Sequence, residues 1–302
     1  MTPLGGVWVA AATPHLPDGR HIDPEATAGL LDYLSAKGVA GVALLGSTGV
    51  FVQFEIQERI RLVALAARHS RLPIAVNVSH PTPDGALLLA REAASAGARA
   101  VLLMPPYYFR YTQPQVREFY LRFVDELRGA APVLLYNIPF FTTEIAVETA
   151  EELLASGGFA GIKDSSGRFD YFCRLHSLRS RQPFTLFIGN DVLFTRGRSA
   201  GADGVISGVA CAAPELMLGL ERAILTGDAP RVAALEARLV EFIGWLDRFP
   251  GPVGVIEATA ARGVPTGAPV MPLDADTRRL RDEFCEWFRG WLPLVQKESQ
   301  RD

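Results

Sequence analysis

The sequence predicts a closed (β/α)8 barrel, a TIM barrel, with a C-terminal helical extension, and three observations carry that prediction. Helix ends closed by glycine recur at Ser35-Ala36-Lys37-Gly38, Ser95-Ala96-Gly97, Ser156-Gly157-Gly158 and Ser199-Ala200-Gly201, each followed at once by a short run rich in Val, Ile and Leu. Glycine tolerates the left-handed cap that ends a helix, and a continuous apolar run suits a parallel strand buried on both faces. Further runs of that type at 5–13, 73–78, 133–138 and 184–189 bring the strands to eight, and the stretches between them show the three- and four-residue apolar spacing of helices.

In chain order, strand 5–13 leads to a helix at Pro24–Ala36, opened by Asp23 as N-cap with proline at the first helical position. Strand 39–45 precedes helix Phe54–Arg68, strand 73–78 helix Asp84–Ala96, and strand 98–103 helix Gln115–Leu127. Strand 133–138 precedes helix Ala146–Leu154, strand 159–163 a helix at 169–179, and strand 184–189 a helix at 191–199. After strand 202–207 come helices at 214–226, 229–247 and 274–291. The expected organisation is one domain, with the barrel over 1–226 and its helical extension over 227–302. A doubly wound open sheet is the competing architecture, but it lacks its fingerprint: no G-x-G-x-x-G follows the first strand and no P-loop is present.

With 302 residues, 49% hydrophobic and 21% charged, the chain has the composition of a globular protein rather than a disordered or fibrous one. Its 30 basic residues against 33 acidic ones give a charge of −3, with no basic block interleaved with aromatics, so no nucleic-acid partner is expected. Cys173, Cys211 and Cys285 form no C-x-x-C pair, and the five histidines show no metal-ligand spacing, so neither a disulfide framework nor a metal site is expected. No positive residue precedes the apolar run at 7–12, and no stretch reaches the roughly 18 apolar residues of a membrane helix. A cytoplasmic chain without a membrane partner is the expectation.

In such a barrel the active site lies where the strands end. Lysine is scarce, at Lys37, Lys163 and Lys297 only, and Lys163 closes the apolar run Phe159-Ala160-Gly161-Ile162. Burial there favours the neutral amine, which attacks carbonyls; a buried ion pair with Asp164 or Asp191, or a side chain reaching to the rim, is the plainer alternative. Lys37 precedes a helix-ending glycine, where a cation suits the helix dipole, and Lys297 falls in a polar tail. Tyr136 ends the neighbouring strand, within reach of Lys163 because adjacent strands lie about 4.8 Å apart; it is either a proton carrier or a core tyrosine. Gly46-Ser47-Thr48-Gly49 offers hydroxyls and backbone N–H groups fit to hold a carboxylate, or is an ordinary turn. Of the histidines, only His80 follows a strand closely enough to approach the barrel mouth.

Gly46-Ser47-Thr48-Gly49, Tyr136-Asn137-Ile138-Pro139 and Gly161-Ile162-Lys163-Asp164, in this order, resemble the dihydrodipicolinate synthase and N-acetylneuraminate lyase family of pyruvate-dependent class I aldolases. The likeness extends through Pro106-Tyr107-Tyr108 and Gly204-Val205-Ile206-Ser207. It implies a covalent imine on Lys163 with no separate cofactor, Tyr136 as proton shuttle, and Ser47 linking it to Tyr108 of a neighbouring subunit. It also implies that Thr48 binds the pyruvate carboxylate and that Ile206 lies beside the imine. A homo-oligomer, dimer or tetramer, and an aldehyde as the second small molecule follow.

Three positions depart from the family pattern. Phe141 stands where the lysine-pathway synthase has a carboxylate-binding arginine, Val192 where sialic acid lyases carry a glutamate, and Val50 where most members have glutamate. The expected activity is therefore reversible cleavage of a 2-keto-3-deoxy (sugar) acid to pyruvate and an aldehyde, with Phe141, Ser165, Asp191 and Ser207 on the substrate. The competing activities are 4-hydroxy-tetrahydrodipicolinate synthase and a decarboxylating keto-acid dehydratase. A catalytically silent keto-acid-binding barrel is the reading of another class.

Overall fold

The structure is a computed structural model, and it describes residues 4–300. Eight parallel strands close a barrel in sequence order: β1 (Gly6–Ala10), β2 (Gly41–Leu44), β3 (Ile74–Asn77), β4 (Ala100–Leu103), β5 (Val133–Asn137), β6 (Gly161–Asp164), β7 (Thr185–Ile188) and β8 (Gly204–Ser207). Between them run α1 (Pro24–Lys37), α2 (Ile56–His69), α3 (Pro83–Ser95), α4 (Gln113–Leu127), α5 (Val147–Ala155), α6 (Phe169–Leu178) and α7 (Phe194–Ser199). Then follow α8 (Val209–Ala212), α9 (Pro214–Thr226), α10 (Ala229–Leu246), α11 (Val253–Ala261) and α12 (Ala275–Gln300). The closed parallel barrel matches the fold the sequence predicts.

Local chemistry sets these elements. The Asp23 side chain accepts from the Ala26 N–H at the start of α1, and Gly38 ends that helix at φ 78. Thr112 and Gln115 form a reciprocal capping box on α4. Helices cover the sheet outside and side chains fill it inside, so the four-residue strands β2, β3 and β4 are buried throughout. Trp8 and Phe187 meet edge-to-face at 6.2 Å inside the barrel.

Two helices lie where no helix is predicted. The first, α8, is a single turn directly after β8, too short to show a period. The second, α11, follows Pro250-Gly251-Pro252 and is apolar on nearly every side, so neither a start signal nor an amphipathic stripe marks it. The last helix also outruns its expected end, because Pro293 sits on its exposed side. Water can satisfy the carbonyl that loses its partner there, while Trp291, Val295 and Ser299 stay buried. Lys297 accordingly lies in the last turn of a helix, not in a polar tail beyond its end.

The Phe242 ring on α10 packs against Phe284, Trp287, Phe288 and Trp291 of α12, with centroids 5.0–6.3 Å apart. That stack fixes α10, whose C-terminal end reaches the open end of the barrel. A second tie is ionic. Glu215 on α9 takes paired hydrogen bonds from Arg262 at 2.6 and 2.8 Å and lies 2.7 Å from the Lys37 ammonium. Burial alone would raise the Glu215 carboxyl, but the Arg262 and Lys37 contacts outweigh it and hold the group at about 2 against an ordinary 4.5. A depressed acid contributes stability that is full above its ordinary value and is lost as pH falls through its folded one. Glu215→Gln is therefore expected to cost about 3 kcal/mol at pH 7, because it strands a buried guanidinium. The deficit relative to the parent should shrink by about 1.4 kcal/mol per unit below roughly pH 4.5, read by urea unfolding at pH 7 and 3.5. A deficit constant with pH would show that packing, not the ion pair, holds this corner.

Candidate active site

The end of β6 presents Lys163 to the barrel interior. In the β5–β6 register Tyr136 lies opposite Lys163 and Asn137 opposite Asp164, so the first pair faces inward and the second outward. Asn137 donates to the Asp164 Oδ1 at 2.8 Å, and Ser166 Oγ donates to Oδ2 at 2.8 Å. Burial pushes the Asp164 carboxyl up, against the hydrogen bonds from Ser166 and Asn137. This carboxylate is therefore a support of the strand end, turned away from the lysine beside it in sequence.

Lys163 is buried, and its Nζ sits 4.3 Å from the centroid of the Tyr136 ring. The Tyr136 hydroxyl lies 3.3 Å from Ser47 Oγ. Ser47 and Thr48 belong to the loop after β2, whose backbone is pinned at both ends. Asn77 donates to the Leu45 carbonyl at 2.7 Å, and Thr13 Oγ1 donates to the Gly49 carbonyl at 2.8 Å. Leu45 and Val50 adopt φ of 59 and 43, so non-glycine residues are held in the left-handed region on either side of the hydroxyl pair. Such conformations cost about 1–3 kcal/mol each and persist only where the surroundings impose them.

After β7, Gly189 leaves room for the lysine. A Cβ there would stand 2.2 Å from Ser165 Oγ and 2.8 Å from Lys163 Cε. Ser165 Oγ is buried without a hydrogen-bond partner. Asp191 has one carboxylate oxygen bonded by the Val209 N–H at 3.3 Å, while its Oδ1 is buried with no partner. Burial raises the Asp191 carboxyl; the Ser207 hydroxyl, the Val209 N–H and the charge of Lys163 pull the other way.

These groups line one cavity of about 450 Å³, which also takes in Ile138, Phe140, Asn190, Val192, Ile206 and Gly208. Ile243, Leu246 and Asp247 at the end of α10, with Val255 of α11, complete its wall. Of the residues expected at the site, Ser47, Thr48, Tyr136, Lys163, Ser165, Asp191 and Ile206 are together here. Three expected residues are not on this wall. Ser207 is fully buried and its hydroxyl takes the Ala210 N–H at 2.9 Å, behind the wall rather than on it. Phe141 turns to an adjoining cavity of about 250 Å³, which it shares with Ser47, Val50 and Tyr107. Tyr108 is 89% exposed and touches Phe109, not the cavity of its own chain. His80 bonds Thr82 beside the start of α3 and lines neither cavity.

The residues of α10 and α11 are absent from the sequence-based list. They lie about 80 residues or more beyond Lys163, on helices whose return to the barrel mouth is set by the aromatic stack. Among the described residues no group of three His, Cys, Asp or Glu side chains gathers as a metal site, and no helix is long and apolar enough to cross a membrane.

A buried lysine at the end of a barrel strand, with a phenol and a hydroxyl beside it, is an arrangement able to do carbonyl chemistry through an amine. Residues 3–284 match the Dihydrodipicolinate synthetase family, and the chain belongs to that family. It is 32% identical to a 4-hydroxy-tetrahydrodipicolinate synthase of Sorangium cellulosum over 95% of this chain and 96% of the relative. It is 30% identical to a probable 2-dehydro-3-deoxy-D-pentonate aldolase of Escherichia coli over 73% of this chain and 74% of the relative. Among solved structures, a prophage protein of the dihydrodipicolinic acid synthase family from E. coli K12, in complex with pyruvate, superposes with a TM-score of 0.87 at 25% identity. That match covers 95% of this chain and 98% of the other.

Proposed function

We propose that the protein cleaves a 4-hydroxy-2-keto acid, unsubstituted at C3, to pyruvate and an aldehyde, and catalyses the reverse addition, through an imine on Lys163. The observation that carries this reading is the buried Lys163 amine facing Tyr136, whose hydroxyl is 3.3 Å from Ser47, in a single cavity. The Lys163 amine attacks C2 of the keto acid, takes up one proton from solvent and expels water, forming a protonated imine. Tyr136 takes the proton of the C4 hydroxyl while its own passes into the hydroxyl relay through Ser47; the C3–C4 bond breaks, the aldehyde leaves, and the electron pair becomes the enamine at C3. Returning that proton to C3, followed by hydrolysis of the imine, releases pyruvate and restores the amine.

Thr48 holds the substrate carboxylate, and Ile206 packs beside the imine. Ser165 and Asp191 meet the C4 hydroxyl, Ser165 with its free Oγ and Asp191 with its free Oδ1. The kinship with a probable deoxypentonate aldolase supports this reading. A condensation whose second substrate carries a carboxylate is less well served, because Lys163 is the single cation among the described residues lining the cavity.

The test is borohydride reduction with pyruvate, followed by intact mass and peptide mapping. One adduct on Lys163 is the expected result; no adduct in folded protein overturns the reading.

Under the same reading Tyr108 reaches the relay of a neighbouring subunit. Its ring is 89% exposed and its backbone sits at φ 85, a conformation that costs energy and turns the side chain off its own chain. A dimer or tetramer at assay concentration is expected by light scattering, and a monomeric mass would remove Tyr108 from the relay.

A further inference from the structure

The wall of the Lys163 cavity is divided by chemistry. Around the amine stand Ser47, Thr48, Ser165 and Asp191; away from it the lining is Phe140, Val192, Ile243, Leu246 and Val255, from the loops after β5 and β7 and from α10 and α11. Phe140 is 69% and Val192 62% exposed. Single exposed apolar side chains are ordinary, but five from four separate segments converging on one cavity make a surface that binds something apolar.

The charges point the same way. Asp247 lies at the end of α10 on this wall, and no arginine joins the lining. A distal carboxylate would meet Asp247 with no counter-charge. A distal polyol would leave water for a wall that is mostly Phe140 and aliphatic side chains, losing more hydrogen bonds than it regains. Asp247 and the Asn190 Nδ2 are the polar groups left to it there, since the Asn190 Oδ1 takes the Val192 N–H at 3.1 Å.

We infer that the aldehyde half of the substrate carries an uncharged apolar group, aryl or branched alkyl, so that polarity ends at the C4 hydroxyl. This rests on the lyase reading above and adds to it the class of acceptor. Ser165 and Asp191 then serve the one hydroxyl that every such aldol carries, and the Phe140–Val192 side of the cavity takes the substituent beyond it.

The experiment is a competition among aldehydes in the synthetic direction with pyruvate: benzaldehyde, isobutyraldehyde, glyceraldehyde and succinic semialdehyde, with kcat/KM for each. The expected result is a preference of about 10²-fold for the first two, the scale on which apolar pockets discriminate. Phe140→Arg combined with Val192→Lys, its folding checked by melting temperature, is expected to shrink that preference at least about tenfold and to raise kcat/KM for succinic semialdehyde. Preference for glyceraldehyde or succinic semialdehyde, or less than about tenfold discrimination, overturns the inference. Borohydride trapping with pyruvate alone separates the two failures: an adduct without apolar preference sinks only the acceptor class, and no adduct sinks the lyase reading itself.

Discussion

Alanine at Lys163 is expected to lower kcat for retro-aldol cleavage by at least about 10⁴-fold, roughly 5 kcal/mol of barrier, and to abolish the borohydride adduct. Without the amine the C3–C4 bond must break toward a bare ketone, and the electron pair has no protonated imine to receive it. Nothing else on the cavity wall offers a replacement nucleophile of that kind, since Ser47 is engaged with Tyr136 and Ser165 Oγ has no base bonded to it.

Stability supplies the discriminating readout. Were Lys163 held by a structural ion pair, its removal would strand a buried carboxylate and cost several kcal/mol, on the order of 3. Yet Asp164 bonds to Asn137 and Ser166, Asp191 takes the Val209 N–H, and neither carboxylate is among the ion pairs of the described residues. Neither depends on the ammonium for its hydrogen bonds. The melting temperature of Lys163→Ala should therefore fall by no more than a few degrees, the shift expected from roughly 1 kcal/mol. A loss of about 3 kcal/mol with turnover preserved would return Lys163 to the scaffold.

The barrel is legible in the sequence because its signal is repeated and local. Each strand is buried on both faces, so it reads as a block of Val, Ile and Leu, and each block is announced by a glycine-closed helix. Where the signal is short or flat it fails: α8 is one turn long, and α11 has apolar residues on nearly every side, so no 3.6-residue period separates it from a loop. Pro293 misleads in the other direction. Its rule holds for a helix with nothing else to hold it, while α12 is kept in place by Trp291 and Val295.

At the site, Lys163 and Tyr136 are legible from chain order, since adjacent strands in an eight-stranded parallel barrel bring inward-facing ends side by side. Ser207 is the last residue of β8, next to Ile206 on the cavity wall, so the alternation of strand side chains turns it to the other face, where its hydroxyl takes the Ala210 N–H. The wall formed by Ile243, Leu246, Asp247 and Val255 has no local mark at all. It exists because Phe242 is stacked on α12, and that is a property of the folded extension.

Phenylalanine at Tyr136 is expected to reduce kcat about 10³-fold while the pyruvate adduct on Lys163 still forms, the loss typical of removing a positioned acid–base group. The substitution keeps the ring whose face lies 4.3 Å from the Lys163 ammonium, so the lysine retains its setting and only the hydroxyl is lost. Ser47 is half-buried and able to exchange its lost partner for water, so little stability should go with it. Two outcomes are informative. Trapping that persists with cleavage arrested separates imine formation from the proton transfers at C4 and C3 and gives the latter to Tyr136. A loss of less than tenfold would move that task elsewhere, and Asp191 would be the candidate. It lines the same cavity, its Oδ1 is unpartnered, and burial raises its carboxyl. In that case Asp191→Asn, and not Tyr136→Phe, should stop cleavage after the imine.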